Sequence, residues 1–134
     1  MREILFRGKT SKGEWVYGFY HNETSIESHS SERKTTRYHI YTQKFDVFVD
    51  SETIGQYIGL KDKNGTKIFK GDIVEFYYEK HKEKHKAVVE FDYYLCGWLL
   101  NGIKCGVFKF NYDVPVAECE VIGNIYDNPD LLSN

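Results

Sequence analysis

The stretch Gly55–Phe76, "GQYIGLKDKNGTKIFKGDIVEF", decides the fold. Asn64-Gly65 is the strongest short hairpin signal, because both residues tolerate positive φ. It separates two runs of strand formers, "QYIGL" and "KIF". Gly55 and Gly59 mark places for a bend, a bulge or a close backbone approach. Lys70-Gly71-Asp72 reads as a second turn. Beyond it, Val74, Phe76 and Tyr78 alternate with Ile73, Glu75 and Tyr77 at the period of a strand. The segment predicts a hairpin, a turn and the launch of a core strand. Its "GDIV" step, a turn followed by an apolar pair, recurs in SH3-like barrels.

Working outward, the same grammar repeats. "REILFR" and "EWVYGFY" flank a glycine- and lysine-containing turn and predict an N-terminal β-hairpin. "YHIYTQKFDVFV" (38–49) is strand-like, and "AVVEFDYY" (87–94) pairs naturally with 73–79. "LCGWLLNGIKCGVFKF" reads as short strands and tight turns, and "AECEVIGNIYDN" as a last strand. Asn128-Pro129 predicts one short C-terminal helical turn, with Asn128 at the N-cap. Residues 21–37 hold one large apolar residue, Ile26, which predicts a mobile polar loop. "KHKEKHK" (80–86) predicts a charged hairpin tip. No stretch carries a sustained helical period. The fold class is therefore mainly β, a small barrel or sandwich. We expect an N-terminal β-strand region over 1–50, a hairpin extension, and an SH3-like small β-barrel over 51–134.

Composition agrees. Among 134 residues are 11 Tyr, 9 Phe and 2 Trp, which favour strands. A chain of this length buries enough surface to fold without disulfide or metal. Its 3 cysteines show no paired spacing, which points to reduced thiols and a cytoplasmic setting. The opening residues resemble no signal peptide, and no run reaches the length of a membrane helix. Net charge is −2, so no global basic signature for nucleic acid exists. The charge is uneven, however: residues 61–110 are net basic, and 111–134 carry acids without Lys or Arg. Such asymmetry can guide subunits into contact.

Three separated motifs resemble the YopX family of bacteriophage and prophage proteins. They are "REILFRGK" with "GEWVYG" near the start, "TIGQYIGLKDKNGTKIFKGDIVEF" in the middle and "EVIGNIYDNPDLL" at the end. The resemblance implies a mostly β protein, an SH3-like barrel in the C-terminal part and a phage or prophage origin. It implies no reaction.

Candidate chemistry is sparse. His81 and His85 are spaced for a shared metal only on a helix, and Lys80, Lys82, Lys84 and Lys86 repel a cation there. No metal and no cofactor is expected. Lys61, Lys63 and Lys67 with Lys80, Lys82, Lys84 and Lys86 could contact nucleic acid or another anion, with Tyr77, Tyr78, Tyr93 and Tyr94 as stacking faces. The plainer reading has those lysines keep hairpin tips soluble. Asp62 and Asp72 read as turn formers, not as a catalytic pair. Cys105, beside Lys104, reads as an inert thiol. Trp15, Tyr17 and Phe19 share one face at period two, which reads as core. Where they remain exposed, Trp15 and Tyr17 become subunit contacts, with Asp127 and Asp130 on the acidic side. These features predict a non-enzymatic accessory protein that acts through surfaces and self-associates, with a phage or host protein as a further partner. A nucleic-acid-binding module is the second reading, and an enzyme on a small barrel the third.

Overall fold

The structure, a computed structural model, describes residues 3–26, 34–104 and 106–133. Those residues are mainly β, with 11 strands and three single-turn 3-10 segments at Ser51–Thr53, Val116–Glu118 and Pro129–Leu132. The chain divides into two compact units, one of Glu3–Gln56 and one beginning at Tyr57.

In the first unit, β1 (Phe6–Lys9), β2 (Trp15–Ile26), β3 (Lys34–Tyr41) and β4 (Asp46–Phe48) form an antiparallel meander, ordered β4-β3-β2-β1. β5 (Gly55–Lys61) begins here, with Gly55 opposite Arg7 and Gln56 opposite Phe6. The inward face carries Ile40, fully buried, and the Phe6 and Tyr20 rings at 5.8 Å. The loop expected over 21–37 is strand over much of its length: β2 runs on to Ile26 and β3 starts at Lys34. Residues 27–33 lie outside the described residues. Polar side chains support this pairing where apolar ones are scarce. Thr24 and Thr36 face each other across the ladder, their hydroxyls 3.1 Å apart. Threonine's branched Cβ suits an extended backbone, and cross-strand Thr pairs stabilise a ladder.

In the second unit, β5 continues against β6 (Lys67–Phe69), with Tyr57 opposite Phe69 and Lys61 opposite Lys67. The register slips between those pairs. Gly59 sits there at φ 90°, a conformation that costs a side-chain-bearing residue free energy. β7 (Asp72–Tyr78), β8 (Glu83–Asp92), β9 (Gly97–Gly102), β10 (Val107–Phe108) and β11 (Glu120–Asn124) form a five-stranded antiparallel sheet ordered β10-β9-β8-β7-β11. The ladder is open. β10 and β11 are its two ends, and among the described residues no pairing closes it into the expected barrel. One buried core cluster holds Ile58, Ile68, Val74, Phe76, Ala87, Val89, Leu100, Phe108, Val114 and Cys119. Each large aliphatic or Phe side chain buried there stabilises the fold by about 1.5–3 kcal/mol.

The Asn64-Gly65 turn differs from the simple two-residue hairpin. The Asp62 N–H donates to the Thr66 carbonyl and the Gly65 N–H to the Asp62 carbonyl, so Lys63-Asn64-Gly65 is a three-residue loop. Asp62 explains the choice. Its Oδ1 accepts the N–H groups of Asn64 and Thr66, both at 2.9 Å, which favours a type I turn with Asp first and Gly fourth. The charged hairpin tip is also shorter than the sequence suggests. β8 begins at Glu83, so Lys84, His85 and Lys86 are strand residues opposite Tyr77, Phe76 and Glu75.

Candidate functional site

The outward face of the β2–β3–β4 meander concentrates the unusual chemistry of the first unit. Alternation along β2 puts Tyr17, Phe19, His21 and Glu23 on one side. The register sets Phe19 opposite Tyr41, His21 opposite His39 and Glu23 opposite Arg37. β4 then sets Asp46 opposite Tyr41 and Phe48 opposite His39. Tyr17, Phe19, Tyr41 and Phe48 are 47%, 64%, 52% and 55% exposed. The reading of Tyr17 and Phe19 as core is thus corrected, while Trp15 is intermediate in exposure. Period two showed that they share a face, but not which face water covers. Trp15 is half-buried beneath cations, with the Arg7 guanidinium 4.5 Å and the Lys9 ammonium 5.6 Å from its ring. The Arg37 guanidinium lies 5.6 Å from the Phe48 ring.

Within this face sits a histidine–carboxylate cluster that sequence spacing could not reveal, since its members come from three strands. His21 Nε2 is 3.0 Å from Asp46 Oδ1. His39 Nδ1 is 3.3 Å from Asp46 Oδ2, and His39 Nε2 is 3.5 Å from Glu23 Oε1. The two imidazoles stack with centroids 4.6 Å apart. His39 is buried under the His21 and Phe48 rings, whereas His21 and Asp46 reach solvent. A cross-strand His pair was the available signal, visible only once the 21–37 region is read as paired strands.

In the second unit, two of the predicted lysines lie beside carboxylates. Lys63 pairs with Glu120 at 3.3 Å and Lys84 with Glu75 at 3.7 Å. Lys67 lies 5.5 Å from the Tyr57 ring. Lys61, Lys80 and Lys82 are exposed, and Lys86 is half-buried on β8. Tyr93 and Tyr94 project from the β8–β9 turn, the second fully exposed, while Tyr77 is half-exposed and Tyr78 packs against Phe108 at 4.9 Å. His81 Nδ1 and His85 Nε2 lie 3.0 Å apart, and Glu83 is 3.6 Å from His85, a second cluster at the β7–β8 tip. An apolar groove of about 470 Å³ is lined by Ile58, Leu60, Phe91, Trp98, Phe110 and the exposed Cys96.

Two carboxylates are structural. Asp62 is buried, and its Oδ2 accepts the Val121 N–H at 2.9 Å, joining the hairpin turn to β11. Burial pushes its pKa up, but the N–H groups of Val121, Thr66 and Asn64 together with Lys63 outweigh that, so the net shift is downward. Asp72 Oδ2 accepts the Phe69 N–H at 2.8 Å across the second turn. Cys119 is buried, its thiol pushed up to about 12 by desolvation and by Glu118 and Asp62. Cys105 lies outside the described residues. Of the proposed acidic contacts, Asp127 accepts the Asn124 side-chain amide at 3.1 Å, and Asp130 is exposed in the last 3-10 turn. Asn128 precedes that turn as expected, yet its side chain accepts the Asn124 N–H instead of capping it.

An antiparallel, aromatic-faced β protein of two compact units is the class that these features define. The chain matches the YopX protein family over residues 5–133, and it belongs to that family. Its fold is similar to the crystal structure of protein EF1440 from Enterococcus faecalis, with a TM-score of 0.54 and 21% identity over 99% of this chain and 100% of that one. No curated protein matches the chain.

Proposed function

We propose that this chain is a non-enzymatic phage or prophage accessory protein that works in the host cytoplasm by self-association through the outward face of β2–β3–β4. The single observation behind the reading is the exposure of Tyr17, Phe19, Tyr41 and Phe48 on one sheet face. Large aromatics are enriched at interface centres, and four on one face go beyond scattered surface apolar residues. A second copy is the favoured occupant because the patch is self-complementary. It carries Lys9 and Arg37 as cations, Glu23 and Asp46 as anions, and aromatic rings that accept cations. A two-fold dimer sets the same patch against itself, which allows the cations of one copy to meet the anions of the other.

The groove beside Cys96 is walled mainly by apolar groups, which suits binding of an apolar side chain. Pairing of Lys63 and Lys84 with carboxylates reduces the charge available for phosphate, which favours protein over nucleic acid as partner. The second unit supports an SH3-like reading through its strand order β10-β9-β8-β7-β11 and the 3-10 turn Val116–Glu118 just before the last strand. Sedimentation velocity tests the proposal. Wild type should shift to a larger species as concentration rises, and Phe19→Ser should remain monomeric. A wild-type chain that stays monomeric throughout would overturn it.

A further inference from the structure

We infer that His21, His39 and Asp46 form a binding site for a zinc-class divalent cation, with Glu23 holding the far side of His39. The inference does not rest on self-association, because all four residues belong to one chain. Three donor atoms, one from each of these ligands, lie within 4.8 Å of one another. Both histidine nitrogens already face one carboxylate, at 3.0 and 3.3 Å. Ligand atoms around a tetrahedral zinc, each about 2.0–2.1 Å from the metal, stand about 3.3 Å apart.

The surroundings of His39 give a second reason. Its ring is only 4% exposed, and both ring nitrogens face carboxylate oxygens, Asp46 at 3.3 Å and Glu23 at 3.5 Å. The buried Nε2 makes no hydrogen bond. A cation between Nδ1, His21 Nε2 and Asp46 fits this arrangement of donors. Nδ1 then donates its lone pair to the metal, and Nε2–H turns to Glu23. A ligating histidine ordinarily gives its second N–H to a carboxylate in this way. The charges also balance, since two neutral imidazoles and two carboxylates match one divalent ion. Two nitrogen donors select a zinc-class ion over calcium or magnesium, which take oxygen cages. Bound there, the ion would clip the three-residue edge strand β4 to β2 and β3.

The second cluster, His81, Glu83 and His85, fits less well. His81 and His85 share a hydrogen bond, and Lys80, Lys82 and Lys84 surround them. It serves as the internal control. The test is calorimetric titration of Zn2+ into the chelator-treated full chain, with 15N spectra identifying the ligated histidine nitrogens. We expect one equivalent bound, through His21 Nε2 and His39 Nδ1. His21→Gln and Asp46→Asn alter half-exposed side chains and keep the fold, which circular dichroism checks. Each should abolish binding, Glu23→Gln should weaken it about tenfold, and His81→Gln with His85→Gln should leave it unchanged. No Zn2+ uptake by wild type, undiminished uptake by His21→Gln and Asp46→Asn, or loss confined to the His81/His85 variant would each overturn the assignment.

Discussion

Replacing Asp62 should uncouple the β5–β6 hairpin from β11. Its carboxylate accepts three backbone N–H groups at 2.9 Å: Asn64 and Thr66 within the loop, and Val121 on β11, 59 residues away. Asn64 and Thr66 are exposed, so in Asp62→Ala water can take over much of their bonding. The Val121 N–H faces a side chain only 6% exposed and is left without an acceptor. An orphaned buried donor costs about 1–3 kcal/mol, and each lost bond to a charged acceptor about 1.5–3 kcal/mol before water compensates. The sum is about 3–5 kcal/mol for Asp62→Ala. Asp62→Asn keeps one oxygen for the loop but turns an amide donor toward another donor, so about 2–3 kcal/mol is expected. Urea unfolding of the full chain gives the totals, and amide exchange at Val121 gives the local effect.

Acid provides an independent check on the same residue. The folded-state pKa of Asp62 lies below its ordinary 3.8, so its stabilisation is complete above that value. It fades as pH falls through the lowered folded-state value. The gap between wild type and Asp62→Asn should therefore be flat at neutral pH and close only in strong acid. A loss below about 0.5 kcal/mol in Asp62→Ala, the level of an ordinary surface change, would refute the reasoning.

Two further outcomes follow from particular contacts. A Cβ added at Gly18 would clash with the Tyr41 carbonyl oxygen, so Gly18→Ala should destabilise the first unit by about 1–3 kcal/mol in thermal unfolding. In a Cys105→Ser background, the exposed Cys96 should react at once with a thiol reagent, and Cys119, with its thiol pKa near 12, only after unfolding.

Local grammar was legible where sequence neighbours decide structure. The strands and turns of Gly55–Phe76, the bulge at Gly59 and the final helical turn follow from glycine, Asn-Gly and Pro signals between strand formers. The polar strands 21–26 and 34–37 were missed because they hold together by cross-strand pairs such as Thr24–Thr36, which composition does not show. Asp62 read as a turn former and is one, but its bond to Val121 depends on tertiary pairing of β11 with β7. The candidate site was half-visible. Alternation along β2 grouped Trp15, Tyr17 and Phe19, while their exposure and the His21–His39–Asp46 meeting depend on which strands become neighbours.

The face formed by those neighbours is best tested by following backbone amide shifts of the full chain as it is concentrated. Concentration-dependent shifts confined to Tyr17, Phe19, Tyr41, Phe48 and their strand neighbours are the expected result. Shifts centred on the lysine-bearing hairpins at Lys61–Lys67 and Lys80–Lys86, or spectra that do not change with concentration, would contradict the assignment of that face as the contact surface.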